Sequence, residues 1–123
     1  TVEAGTIVPM LDARRMEVYA AVFDKTHKQI RTIEAEIIED SSFSEYLALG
    51  KVYFLGDGAQ KCKETITHKN AIFVSDKFPS SEQMAALSHE KFIRKETEDL
   101  AYFEPFYLKD FIVIPEKKKK PVF

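Results

Sequence analysis

Cysteine is almost missing from this chain: Cys62 is the only one, so no internal disulfide can form, which fits a reducing cytosol. Long apolar runs are absent too. None approaches the roughly 20 residues that would span a bilayer, so no membrane segment is expected. The opening Thr1-Val2-Glu3-Ala4-Gly5 has neither an initiator methionine nor the basic and apolar regions of a signal peptide, and residues 1–5 are expected to be the remnant of a linker in something longer. Metal-ligating and nucleophilic patterns are lacking as well. His27, His68 and His89 are scattered, no His pair has ligand spacing with a Cys or carboxylate cluster, and there is no GxSxG or Walker sequence. What remains is one ordinary domain. The 123 residues, 45% hydrophobic and 31% charged, suffice to bury roughly two thirds of the surface the unfolded chain exposes.

The net charge of −2 conceals an asymmetry, because four of the 18 basic residues form the run Lys117 to Lys120. Residues 1–115 contain 14 basic and 19 acidic residues, a net of −5. So acidic a body is a poor nucleic-acid surface, since phosphate neutralisation supplies most of that affinity. The lysine run is expected to be a solvated terminus.

Two short apolar runs, Ile7 to Leu11 and Val18 to Phe23, are joined by the charged link Asp12-Ala13-Arg14-Arg15-Met16-Glu17. Rich in β-branched and aromatic residues, each run reads as a strand buried on both faces, and the two as a hairpin. A polar loop at residues 24–29 leads to Ile30–Ile38, where Ile33, Ala35 and Ile37 alternate with Thr32, Glu34 and Glu36. That is the period of a strand wet on one face, expected at the sheet edge. Ser42 and Glu45 match a capping box before a short helix from about Phe43 to Leu49, ended by Gly50. Lys51–Leu55 predicts a strand, Gly56-Asp57-Gly58 a turn, Ala59–Thr67 a helix and Ala71–Ser75 a strand. Ser80 and Gln83 suggest a second capping box, opening a helix to about Glu96 with a mainly apolar stripe of Met84, Leu87 and Lys91 beside Ala85, Ser88 and Phe92.

The resulting order, β-β-β-α-β-α-β-α, predicts an α/β fold with a mixed five-stranded sheet covered by three helices. It resembles a ribonuclease H-like subdomain of the actin, Hsp70 and sugar-kinase type, an analogy of fold alone. This lobe is expected over residues 6–99. Residues 100–123 then form a separate C-terminal arm and lysine tail, the arm crowding aromatic residues around Pro105 from Leu100 to Phe111. An arm of this kind is expected to dock, within the parent protein or on a partner, because exposing so many rings is costly.

Three features could carry chemistry. The glycines of Gly56-Asp57-Gly58 would let the backbone approach a nucleotide or another anion, although Asp57 repels phosphate and also suits a purely structural helix cap. Asp12, Glu45 and Asp57 occupy the elements from which a ribonuclease H-like nuclease gathers carboxylates around two Mg²⁺ ions. Against this, Glu45 has a capping role and Asp12 lies beside two arginines. Cys62, in the expected second helix, reads as a packed small residue.

Ile7 to Tyr19, Leu55-Gly56-Asp57-Gly58-Ala59 and Glu104-Pro105-Phe106-Tyr107-Leu108 together resemble the C-terminal part of the bacterial TsaB family, also called YeaZ and described as glycoprotease-like. Lys109 stands where many members of that family carry Arg after the Tyr-Leu pair. The resemblance implies the second lobe of a noncatalytic, cytoplasmic scaffold that supports TsaD in forming N6-threonylcarbamoyladenosine at position 37 of tRNA. It implies TsaD-like and TsaE-like protein partners, tRNA met indirectly through the complex, and homodimerisation as an option for the full-length protein. No cofactor is expected on this lobe, the complex using ATP and Mg through partner subunits; no catalytic or metal-ligating residue is expected either. Partner- or nucleotide-facing candidates are Asp12, Arg14, Arg15, Glu17, Gly56, Asp57 and Gly58, which stand where related ATPases approach phosphates and adenosine. The alternative is a degenerate nucleotide-binding domain of the ATPase type.

Overall fold

The computed structural model describes residues 4–109; the tail lysines, and Asp110 and Phe111 of the arm, lie outside the described residues. Strands β1 (Thr6–Asp12), β2 (Glu17–Asp24) and β3 (Gln29–Ile37) precede helix α1 (Ser44–Leu49). Strands β4 (Val52–Leu55) and β5 (Ala71–Phe73) then lead to helix α2 (Ser81–Ile93). The sheet runs β3-β2-β1-β4-β5, antiparallel between β3, β2 and β1 and parallel between β1, β4 and β5. This is the expected mixed five-stranded sheet. β3 lies at its edge, as its period suggests.

Alternation along the strands sends Val8 and Met10 of β1, Val18, Ala20 and Val22 of β2, and Val52 and Phe54 of β4 into one core. Phe43, Leu47, Ala59, Cys62 and Ile66 close that core from one side. Phe54 sits at its centre, edge-on to Phe43 and stacked on Phe73; its truncation to alanine would cost on the order of 3–5 kcal/mol.

The other sheet face departs from expectation. β1 and β2 are not buried on both sides: Pro9 and Tyr19 are half-buried and Leu11 is exposed. The apolar side of β3, with Ile33, Ala35 and Ile37, belongs to this open face, since Ala35 lies opposite Tyr19. β3 turns Arg31 and Glu36 toward the core side, where they form an ion pair and the guanidinium covers the Phe43 ring.

The helices differ as well. No helix forms over Ala59–Thr67; a single 3₁₀ turn, Gln60–Cys62, stands there, because the run Thr65-Ile66-Thr67 is β-branched and loses χ1 freedom in a helix. The Ser42–Glu45 capping box does not form. Ser42 Oγ instead accepts the Glu39 amide at 2.8 Å, while Phe43, in the left-handed region at φ 59°, starts α1 and drops its ring into the core. Ser80 does cap α2, accepting the Glu82 amide at 3.2 Å. That helix ends sooner than Glu96, at Ile93, because Lys95 turns left-handed (φ 59°) and the Glu96 amide reaches back to the Lys91 carbonyl. All thirteen residues of α2 are exposed, so it covers neither sheet face.

Candidate functional site

The β1–β2 hairpin and the glycine turn after β4 meet at one end of the sheet. Arg14 and Arg15 both adopt positive φ, 75° and 48°, a conformation costing roughly 1–2 kcal/mol for a residue with a side chain. The tight turn is closed by the Glu17 amide on the Arg14 carbonyl and the Ala13 amide on the Glu17 carbonyl, both at 3.0 Å. It drives two exposed arginines outward at the tip.

The surrounding carboxylates are committed inward. Asp57 Oδ1 accepts the Asp12 backbone amide at 2.9 Å, and Asp12 Oδ1 accepts the Arg14 amide at 2.9 Å. Lys61 Nζ donates to Asp12 Oδ1 and, at 2.7 Å, to the Glu17 carbonyl. Lys109 Nζ donates to Glu17 Oε1 across 92 residues of sequence. The Lys61 ammonium, followed by the Arg14 amide, holds the Asp12 carboxyl below its ordinary pKa. The Glu17 carboxylate holds the Lys109 ammonium above its own. Neither arginine side chain joins these ion pairs among the described residues.

The glycines prove to be packing devices. Gly56 has φ 100°, and a Cβ there would lie 2.2 Å from the Met10 carbonyl oxygen; a Cβ on Gly58 would meet the Leu11 carbonyl carbon at 2.8 Å. The Gly58 amide also donates to the Met10 carbonyl at 3.1 Å. The turn therefore presses on the end of β1, with protein backbone rather than a ligand in the space the missing side chains vacate.

Asp12, Arg14, Arg15, Glu17, Gly56, Asp57 and Gly58 are thus brought to one region, with Asp12 and Asp57 adjoining. Glu45 lies apart on α1, and no cluster of three His, Cys, Asp or Glu side chains gathers as metal ligands among the described residues. Cys62 is fully buried, its thiol reaching the Gly58 carbonyl at 3.3 Å, and burial raises its pKa. Lys61 and Lys109 also join this region, although neither stood among the sequence candidates for it. Nothing in the local pattern around either lysine shows it returning to the hairpin.

Two clefts flank this region. One of about 470 Å³ is bounded by Arg14, Arg15, Glu17, Ile37 and Lys109. The other, about 560 Å³, opens at the ends of β1 and β4, between Leu11, Leu55 and Gly56 and the segment Asp76–Ser80 that enters α2.

No family model matches the sequence, and no curated protein matches it. A solved structure does, described as an uncharacterized protein with similarity to peptidase YeaZ from Pseudomonas aeruginosa, at a TM-score of 0.66 and 17% identity over 86% of this chain. The chain has a YeaZ-like fold. It spans 50% of the length of that YeaZ-like neighbour, and identity this low transfers architecture, not activity. No described helix is long and apolar enough to cross a membrane.

Proposed function

We propose that this chain is the second lobe of a TsaB-like scaffold, noncatalytic itself, which supports a TsaD-like enzyme in forming N6-threonylcarbamoyladenosine at tRNA position 37 in the cytoplasm. The observation that carries this is the division of charge at the hairpin. Asp12, Glu17 and Asp57 are spent on bonds that hold β1, β2, the glycine turn and the arm together, whereas Arg14 and Arg15 stand exposed on a strained, well-defined tip. Carboxylates so engaged are poorly placed to collect metal or act as bases. Two forked guanidinium groups on a rigid turn suit recognition of a partner's carboxylates or phosphates. The YeaZ-like fold supports the reading. TsaD-like and TsaE-like proteins would be the direct partners, and tRNA would be met through their complex.

The cleft at the ends of β1 and β4, faced by the start of α2, favours a second reading, a degenerate nucleotide-binding domain of the ATPase type. The scaffold reading is tested by changing both Arg14 and Arg15 to alanine in the full-length protein. Complex assembly and tRNA modification should fall at least tenfold, with the fold unchanged. Wild-type modification and assembly by the double variant would exclude the hairpin as the contact.

A further inference from the structure

The cleft of about 470 Å³ beside the hairpin tip is opposite in charge to the chain around it. Arg14, Arg15 and Lys109 line it, and Glu17 is its only acidic lining residue among those described. That carboxylate already accepts from Lys109 Nζ, so the two guanidinium groups set the sign of the cleft. Asp12, next along the hairpin, is occupied by Lys61 and by the Arg14 amide. The body behind this tip is acidic, residues 1–115 carrying a net charge of −5.

The floor of the cleft is apolar. Ile37 pairs with Glu17 across β2 and β3 and is 65% exposed, and Met16 beside it is half-buried. The Ile38 amide donates to the Met16 carbonyl at 2.7 Å, which ties the end of β3 to the hairpin. Rim and floor are both set by hydrogen-bonded backbone, so little main-chain freedom is lost when a ligand enters.

This combination selects among anions. Guanidinium groups offer forked donors that match carboxylate or phosphate, and the acidic body decides between them. A nucleic-acid strand brings one charge every ~3.4 Å, and a strand leaving the cleft past the end of β3 would meet exposed Glu39 and Asp40. A short peptide can instead concentrate its carboxylates at the tip and cover Ile37 with an aliphatic side chain.

We propose that the cleft takes an acidic segment of a protein partner, with an aliphatic side chain among its carboxylates. The carboxylates pair with Arg14 and Arg15, and the aliphatic group packs on Met16 and Ile37. This rests on the reading of the hairpin as a partner contact and adds the chemistry of that partner. Lys109 is a positioning residue, because it neutralises the Glu17 carboxylate that would otherwise repel the segment.

The test is fluorescence anisotropy of the whole chain with a fluorescein-labelled peptide of glutamates around one leucine, at low salt. Saturable binding with a dissociation constant below about 1 mM is expected, lost near 1 M salt, where screening shortens to ~3 Å. Arg14→Gln and Arg15→Gln should each weaken it roughly twofold to fivefold, and together about tenfold. Ile37→Ser should weaken it roughly threefold. All three positions are exposed, so these variants should keep their circular dichroism. Glu17→Gln should tighten binding, a direction that lost structure does not produce. No saturable binding, binding indifferent to the arginines, tighter binding of an oligouridylate of equal charge, or a photo-crosslinker in place of Ile37 that captures the chain's own C-terminal peptides rather than the probe would each overturn the proposal. A probe that fails to bind while the Arg14, Arg15 double variant still loses tRNA modification would overturn the acidic segment and leave the scaffold role standing. Arginine-dependent probe binding with modification intact would uphold the segment and remove the hairpin from that role.

Discussion

At Arg14 and Arg15 two consecutive side-chain-bearing residues occupy the left-handed region, while Gly56 occupies it where nothing but glycine fits. The physics therefore assigns opposite signs to substitutions at these two positive-φ sites. Arg15→Gly relieves backbone strain and is expected to raise stability by about 0.5–1 kcal/mol. Gly56→Ala places a methyl against the Met10 carbonyl in a conformation that alanine resists, and is expected to cost several kcal/mol. Urea denaturation of the two variants reads both: the midpoint should rise for Arg15→Gly and fall sharply for Gly56→Ala. The sequence flagged Gly56 and Gly58 as a turn open to a ligand approach or a purely structural use, and β1 backbone lies against both. A glycine declares that backbone comes close, but whether that backbone belongs to a ligand or to β1 is decided by the tertiary path.

Elements were legible in proportion to how far local pattern decides them. The short apolar runs Ile7–Leu11 and Val18–Phe23 and the alternation in Ile30–Ile38 placed three strands in the right order, and Ser80 marked the start of α2 by its own cap. Ser42 failed as a cap because burying the Phe43 ring outweighs one hydrogen bond, which Ser42 recovers with Glu39. The arm was expected to dock, yet its described rings stay exposed, Phe106 at 79% and Tyr107 at 75%, and the Lys109–Glu17 bond ties its end to the hairpin. That bond has a pH signature. Because the folded pKa of Lys109 is raised, its contribution is complete below the unfolded lysine value of about 10.4 and is lost as pH rises through the folded value. In ¹³C NMR of lysine-labelled protein, Lys109 should titrate above ordinary lysines, and Glu17→Gln should return it to their range. Ordinary titration of Lys109 in the unaltered protein would remove the latch.

The whole molecule is a five-stranded sheet closed on one side, open on the other, and half the length of the YeaZ-like structure it matches. Its core is closed by α1 and the segment after β4, while the open sheet face, α2 and the arginine tip stand largely exposed among the described residues. The composition already indicated an acidic body without metal or nucleophile motifs, and the seven candidate residues were placed in one region. Invisible in the sequence were the lysines that neutralise their carboxylates, because contacts across 49 and 92 residues leave no periodic trace. The proposed scaffold role depends on that spent charge and is opposed most directly by nucleotide binding at the β1–β4 cleft. Isothermal titration of the chain with ATP and Mg²⁺ decides between them: a scaffold lobe gives no saturable heat, whereas saturable binding at micromolar concentration, abolished by occluding that cleft, would contradict it.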